Sequence, residues 1–281
     1  MASEKKKDNN TPYPVTIAHD FKEFLSVQNG KGEPAIVVGG HAASLWALHY
    51  AQKEPAILNY APFTSKDMDF VGDRTTAFRL AKMVNQPAER APRNEPTPVI
   101  YRIKRLFPDQ TRQNSTLEVL DHLAGVTNNE LRETAITIYS KELDSRVRLP
   151  SPITCLKSAT RNLMRLQQEK RDDLKKVRIL ILCCRAFLRE QVLLAEAGKI
   201  TEGTVAAPFE TLLRWLAKRT AQRVSADHKI DWSEVFPLGE LENTFIPRLR
   251  QLLRRIKPPP SNNGHHSPAK TLLNTHSGSR V

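Results

Sequence analysis

The first half of the chain alternates helical patterns with short apolar runs. Apolar residues recur at helical spacing in three stretches, which predicts helices over HDFKEFLSVQ, HAASLWALHYAQ and TTAFRLAKMVNQ. Short runs bounded by turn residues predict strands over AIVVGG, FTSKDMDFVG, VIYRIKRLF, STLEVLDHLAGV, TAITIY and SRVRLP. This order predicts a mixed α/β half built on one sheet.

The pattern changes near Pro150 and Pro152. From Ile153 onward, long stretches have few Gly or Pro and an apolar stripe with basic residues outside it, as helices require. Helices are predicted over ITCLKSATRNLMRLQQ, DDLKKVRILILCCRAFLREQVLLAEAGK, PFETLLRWLAKRTAQRV and IPRLRQLLRRI. We therefore expect four parts: a disordered lead-in (1–13), a core domain (14–150), a helical, basic domain (151–257) and a disordered tail (258–281).

Charge and cysteine content narrow the class of protein. The chain has 43 Lys plus Arg against 30 Asp plus Glu, a formal net charge of +13, so its surface attracts polyanions such as nucleic acid or nucleotide phosphates. Cys155, Cys183 and Cys184 lie in helical sequence at spacings that suit neither a zinc site nor a disulfide framework. No export signal or apolar run of about 18 residues occurs, so we expect a cytoplasmic protein with no membrane partner.

Two aspartates one residue apart, Asp67 and Asp69, lie in the stretch PFTSKDMDFVGD. On a strand, residues i and i+2 point to the same face, so both carboxylates are expected together while Met68 and Phe70 enter the core. Two close carboxylates repel each other unless a cation lies between them, and hard oxygen ligands suit Mg²⁺. Asp-x-Asp alone is a common spacing, and a charged strand edge is the competing interpretation.

A glycine pair precedes these acids. Gly39 and Gly40 end a predicted strand and begin a predicted helix, where unpaired backbone N–H groups form an anion site. A lone Gly-Gly pair more often marks only a tight strand-to-helix turn. The succession of strand, Gly-Gly, helix and acidic strand favours the phosphate-binding interpretation.

These motifs carry a family resemblance. VVGGHAASLWALHY followed by FTSKDMDF resembles the glycine-pair and Asp-x-Asp motifs of the polymerase-β-type nucleotidyltransferase superfamily, and more closely those of bacterial abortive-infection (AbiEii/AbiGii-like) nucleotidyltransferase toxins. The resemblance is most specific over residues 36–72 and extends to about residue 180. It implies an α+β fold, with a nucleotidyltransferase-like mixed sheet, flanking helices and a helical C-terminal domain.

The resemblance also implies a third acid on a neighbouring strand. Glu118 fits the apolar-acid-apolar pattern in TLEVLDHLAGV, and Asp121 is the alternative. Asp67, Asp69 and Glu118 would then be the catalytic residues and the ligands of two Mg²⁺ ions. His41 stands where many superfamily members have Ser, and either a phosphate contact or a capping or packing role is open.

For nucleotide binding the resemblance implies Gly39, Gly40 and Ser65, while Lys66 has no assigned role. CLKSATRNLMRL places Lys157, Arg161 and Arg165 along one helical face, and similar superfamily helices supply a basic residue to the triphosphate. Lys157 or Arg161 would do so here, and a solvated basic face is the alternative. EKRDDLKKVR resembles a helix of the toxin family, and no residue role is carried over to it.

The implied activity is Mg²⁺-dependent transfer of a nucleoside monophosphate from an NTP to a hydroxyl, with release of pyrophosphate. The basic second half favours tRNA or another RNA as acceptor, because phosphate contacts supply affinity irrespective of sequence. A toxin role would add a cognate antitoxin as partner. Two alternatives stay open: a catalytically inactive nucleic-acid-binding module on the same fold, and a nucleotidyltransferase acting on a small molecule or a protein.

Overall fold

A computed structural model describes residues 21–63, 65, 67–92, 94, 96–106, 115–141, 143–169 and 171–256. The expected lead-in at 1–13 and tail at 258–281 lie outside the described residues, as do Thr64 and Lys66. The architecture is mixed α and β, with a mixed sheet and flanking helices.

Five strands form the main sheet: β1 (Ile36–Val38), β2 (Met68–Val71), β3 (Glu89–Arg90), β4 (Val99–Arg105) and β5 (Ser115–Leu120). Their order across the sheet is β1-β2-β5-β4-β3. β2 and β5 are parallel, and the other neighbouring pairs are antiparallel. The strand that carries Asp69 therefore lies between the strand that leads into the glycine pair and the strand that carries Glu118.

The last two strands of the first half are separate. β6 (Ile136–Ser140) and β7 (Ser145–Leu149) pair with each other along their full length as a two-stranded antiparallel sheet. The expectation of one sheet is therefore wrong for the described residues. The short connection makes pairing within the hairpin local, whereas joining the main sheet would need a free edge at the right place.

The helices agree with the sequence pattern in most places. They are α1 (Gly39–Tyr50), α2 (Arg74–Met83), α3 (Asn128–Thr134), α4 (Pro152–Arg165), α5 (Asp173–Glu196), α6 (Glu202–Leu216), α7 (Arg219–His228), α8 (Leu238–Asn243) and α9 (Pro247–Ile256), with 3₁₀ helices at Lys22–Ser26, Pro55–Tyr60 and Trp232–Val235. The stretch PFETLLRWLAKRTAQRV contains two helices, because Lys218 adopts an extended backbone between α6 and α7. The described part of HDFKEFLSVQ, from Phe21 onward, forms the first of the 3₁₀ helices and no α-helix.

Local capping explains where two of these helices begin. Asp73 accepts a hydrogen bond from Thr76 N and completes a capping box at α2. Ser151 caps α4 through Thr154 N, and Pro152 occupies the first turn, where it costs no hydrogen bond. α4 thus begins at the predicted domain boundary.

The hydrophobic core crosses that boundary. One cluster of buried residues runs from Phe21 to Leu252 and includes Trp46 and all three free cysteines. The Trp46 indole also donates a 2.8 Å hydrogen bond to the carbonyl of Pro150. A smaller cluster covers the other face of β1 and β5. The helical half therefore packs on the sheet-bearing half and forms one wall of the cleft described below.

Candidate active site

The glycine pair packs directly on the acidic strand. Gly39 has φ of +64°, and a Cβ built on it would lie 1.9 Å from Asp69 Oδ2. A Cβ at Gly40 would lie 2.4 Å from Ser65 Oγ. Only glycine fits both the backbone conformation and the approach at residue 39. The first turn of α1 is thereby held against Asp69 and Ser65.

Asp69 and Glu118 lie side by side. They are register partners on the parallel strands β2 and β5, so their side chains leave the same face of the sheet. Met68 and Phe70 point to the other face, where both are fully buried. Asp69 and the expected third acid, Glu118, are thus brought together on neighbouring strands.

Asp67 has different surroundings from Asp69. It precedes β2, and its carboxylate accepts a 3.0 Å hydrogen bond from the backbone N–H of Thr116. Its carbonyl accepts hydrogen bonds from Ser65 Oγ at 3.2 Å and from His41 Nδ1 at 3.0 Å. The carboxylate of Asp67 therefore links the start of β2 to β5, whereas the side chain of Asp69 lines the cleft with that of Glu118.

The two candidates for the third acid are separated by the structure. Glu118 faces the cleft, whereas Asp121 lies beyond the end of β5 with its side chain 68% exposed, next to His122. Glu118 also accepts a 2.7 Å hydrogen bond from Arg102 Nε. Of the two, Glu118 is the acid placed beside Asp69.

Burial and neighbouring negative charge perturb Asp69. Burial first, and then the negative charges of Glu118 and Asp67, raise the pKa of Asp69 to about 8, against the opposing effect of Lys176 and Arg171. A carboxyl group that is costly to ionise beside two other acids is stabilised as an anion by an added cation. This electrostatic frustration is typical of metal and catalytic sites.

The fit to Mg²⁺ is one of donor chemistry. Carboxylate oxygens are the ligands that this cation prefers, and Asp69 and Glu118 share a face. Two of the three carboxylates already have partners, in Thr116 N–H and Arg102. Within the described parts of the chain, no three His, Cys, Asp or Glu side chains form a group that could hold a metal ion. A cation would therefore compete with partners that the chain itself supplies, and the two-ion arrangement stays a prediction.

An open cleft lies over this face of the sheet. Its empty volume is about 810 Å³, including the mouth open to solvent. The glycine pair, Asp69 and Glu118 line it from the sheet side. Residues of α4 and α5 line the opposite wall: Cys155, Ser158, Ala159, Asn162, Asp173, Lys176 and Leu180, with Leu166 and Arg171 between the two helices.

The two predicted nucleotide-binding cations are placed elsewhere. Lys157 is buried and forms a 2.5 Å ion pair with Glu130 of α3. Arg161 packs its Cβ and Cγ against Gly125. Neither residue is among those that line the cleft. The hypothesis that they face the triphosphate has no support in this geometry.

Arg171, Asp173 and Lys176 are the cleft residues to which the sequence interpretation assigned no role. Asp173 is almost fully buried and receives hydrogen bonds from Arg171 Nε at 2.6 Å and Lys176 Nζ at 3.3 Å. Burial raises the pKa of Asp173, but these two cations outweigh it and hold the pKa below its usual range. The signal was present in EKRDDLKKVR as an acid with a cation at i+3.

His41 has a structural position. Its ring is buried and meets Phe21 edge to face at 4.6 Å between centroids, while Nδ1–H donates to the carbonyl of Asp67. Burial lowers the pKa of His41 to about 4. Of the two roles left open by the sequence, the geometry favours packing, since a neutral buried imidazole holds the segment that carries the aspartates.

Comparison with known proteins adds no relative. No protein-family model, curated protein or solved structure matched the chain. Among the described helices, none combines the length and the apolar character needed to cross a bilayer.

Proposed function

We propose that the protein is a Mg²⁺-dependent nucleotidyltransferase that transfers a nucleoside monophosphate from an NTP to a hydroxyl acceptor. One observation carries the proposal: the Gly39–Gly40 helix start is packed on Asp69, and Glu118 stands opposite Asp69 on a parallel strand. A phosphate-binding turn beside paired carboxylates is what phosphoryl transfer needs, because that chemistry depends on positioning and charge neutralisation.

The residues divide this work between the two walls of the cleft. Backbone N–H groups at the start of α1 would hold phosphate oxygens, and the charge of that helix end favours an anion. Lys176 and Arg171 face the same cleft and would neutralise phosphate charge. A divalent cation bound by Asp69 and Glu118 would lower the pKa of the acceptor hydroxyl and offset charge on the triphosphate.

RNA is the acceptor class that the charge favours. The chain carries +13 overall, and sequence-independent phosphate contacts are the general source of affinity for RNA. A tRNA end is one such acceptor, and growth inhibition through its modification would correspond to a toxin.

Transfer of label from NTPs tests this function. Purified protein is incubated with each α-³²P-NTP, Mg²⁺ and total cellular RNA, and acid-insoluble label is measured for wild type and Asp69→Asn. We expect Asp69→Asn to lower transfer by at least about 100-fold, because it removes the central cleft carboxylate. Asp121→Asn is the matched control, since this exposed acid lies three residues from Glu118, and we expect it to leave transfer unchanged.

Transfer that survives Asp69→Asn would refute the assignment of this carboxylate. Absence of acid-insoluble label with wild type, together with salt-sensitive RNA binding that Asp69→Asn leaves intact, would favour the inactive binding module instead.

A further inference from the structure

Arg102 forms an ion pair with Glu118, the acid that lies beside Asp69. Its Nε donates to Glu118 Oε1 at 2.7 Å, and the two residues are directly opposite on β4 and β5. Both side chains are mostly buried, with 34% and 22% of their surface exposed. A pair of this kind is held by backbone register as well as by charge, so Arg102 is built into the site.

The pair belongs to a row of charges that crosses the sheet. Asp69 is the register partner of Glu118, Glu118 of Arg102, and Arg102 of Glu89, so the row lies on one face of four adjacent strands. Side chains directly opposite one another on a sheet have Cβ atoms about 5 Å apart. Asp69 and Glu118 repel at that separation, and Arg102 is the cation that the row provides beside them.

We propose that Arg102 is the resident counter-ion of Glu118 and that a divalent cation bound between Asp69 and Glu118 competes with it. This rests on the proposed function, since it concerns the same two carboxylates. Arg102 is thus a positioning residue that sets how much cation the site binds when no nucleotide is present. A triphosphate adds negative charge to the cleft and would shift the balance towards the metal.

Removing Arg102 has two opposing effects on the metal affinity of the site. The larger effect decides whether that affinity rises or falls. Loss of a partner that orients a ligand can weaken metal binding by about 10- to 100-fold. A partner that orients a carboxylate ligand donates a hydrogen bond to it, and the partner here, Arg102, also carries a positive charge. Repulsion between a guanidinium and a divalent cation that share one carboxylate corresponds to more than about a 100-fold change in affinity, even at an effective dielectric constant near 20. The electrostatic effect is the larger one, so the site without Arg102 should bind metal more tightly.

Lys104 provides a matched control. It lies on the same strand and the same face as Arg102, two residues further along, and pairs with Glu89 at 3.3 Å. Removing its charge changes the net charge of the protein by the same amount without touching Glu118. A general effect of protein charge would appear in both variants, whereas competition for Glu118 would appear only at Arg102.

The experiment measures Mn²⁺ binding in the absence of nucleotide, by the electron paramagnetic resonance signal of the free ion. Wild type, Arg102→Met, Arg102→Lys, Lys104→Met and Asp69→Asn are titrated at constant ionic strength. We expect Arg102→Met to bind Mn²⁺ about tenfold more tightly than wild type, which is about 1.4 kcal/mol. Arg102→Lys should lie close to wild type because it restores the charge, Lys104→Met should equal wild type, and Asp69→Asn should lose the site.

Equal or weaker binding by Arg102→Met would overturn the proposal. If wild-type binding is abolished by Asp69→Asn but unaffected by Arg102→Met, the competition is wrong while the metal site of the proposed function stands. If Asp69→Asn and Arg102→Met both bind Mn²⁺ as wild type does, or none of the proteins binds it, the metal site and the competition both fail. Should Arg102→Met not fold, Arg102→Gln decides the same question, because it also removes the charge: tighter Mn²⁺ binding than wild type is expected, and equal or weaker binding overturns the proposal.

Discussion

Two basic segments, one in α4 and one at the start of α5, have similar composition but different surroundings. Lys157 and Arg161 of α4 contact α3 and the loop that precedes it. Arg171 and Lys176 converge on Asp173 at the wall of the cleft. In α4, Lys157 pairs with Glu130 of α3 and Arg161 packs on Gly125. In α5, the acid that holds both cations, Asp173, lines the same cleft as the glycine pair.

The difference shows that helical spacing predicts a shared face but not what the face meets. Lys157 and Arg161 do share a face, four residues apart, as the spacing requires. The face turns towards α3 because the opposite side of α4, with Cys155, Ala159 and Asn162, covers the cleft. The cationic side chains that line the cleft, Arg171 and Lys176, therefore come from another segment of the chain.

Separate replacement of Lys176 and of Lys157 by Met should give the largest contrast between the two basic segments. Lys176→Met is expected to weaken binding of a non-hydrolysable NTP by roughly 10- to 100-fold, because a charged hydrogen bond contributes about 1.5–3 kcal/mol. Its unfolding free energy should change little, since Arg171 still pairs with Asp173 at 2.6 Å. Lys157→Met should keep nucleotide affinity but lose about 1–3 kcal/mol of stability, because Glu130 loses its partner.

Calorimetric titration with nucleotide and chemical denaturation measure both quantities on the same samples. Equal losses of nucleotide affinity in the two variants would contradict the distinction, and a loss confined to Lys157→Met would reverse it.

Asp173→Asn should remove the acid that gathers the α5 cations, with an intermediate effect on stability. We expect a loss of about 2 kcal/mol at pH 7. The native pKa of Asp173 lies below its unfolded value, so its contribution is present above the unfolded pKa and is lost as pH falls through the lowered native pKa. The difference from wild type should therefore be constant down to about pH 5 and shrink below about pH 4.

Denaturant unfolding at a series of pH values checks this, with Asp172→Asn as the matched neighbour. The side chain of Asp172 is 68% exposed and pairs with Lys175 only at 3.9 Å, so its variant should follow wild type throughout. A pH-independent difference for Asp173→Asn would exclude the ion pairs as its cause.

Two glycines that touch the two segments should give the smallest effects. A Cβ at Gly40 would meet Ser65 Oγ at 2.4 Å and Lys176 Cε at 3.6 Å, so Gly40→Ala should weaken nucleotide binding several-fold. Gly125 has φ of +75° and a Cβ there would meet Arg161 Cβ at 3.2 Å. Gly125→Ala should therefore cost about 1–2 kcal/mol of stability and leave nucleotide binding unchanged.

Gly198→Ala separates the cost of backbone strain at Gly125 from the cost of its contact with Arg161. Gly198 has φ of +67° with nothing within 4 Å of a built Cβ, so it reports the backbone cost alone. If Gly125→Ala is no more destabilising than Gly198→Ala, the Arg161 contact contributes nothing. A Gly40→Ala protein with wild-type nucleotide affinity would remove the glycine pair from the site.

The strands and the helix near the acids could be predicted from the sequence because the patterns that indicate them are local. The apolar run before Gly39, the helix after it and the alternation around Asp69 each reflect neighbours a few residues apart. The extent of HDFKEFLSVQ and the break at Lys218 were not predicted, since tertiary packing overrides weak helical preference at such places.

By itself, the sequence determined which residues share a strand or a helix face: backbone geometry repeats every two residues in a strand and every 3.6 in a helix. Together with the family resemblance, it pointed to the glycine pair, to Asp67 and Asp69, and to Glu118 with Asp121 as its alternative. Only the tertiary structure decided that Glu118 faces Asp69 across parallel strands, that Arg102 holds Glu118, and that α5 rather than α4 brings cations to the cleft. Those contacts join residues distant in the chain, and their register and packing depend on how the whole core closes.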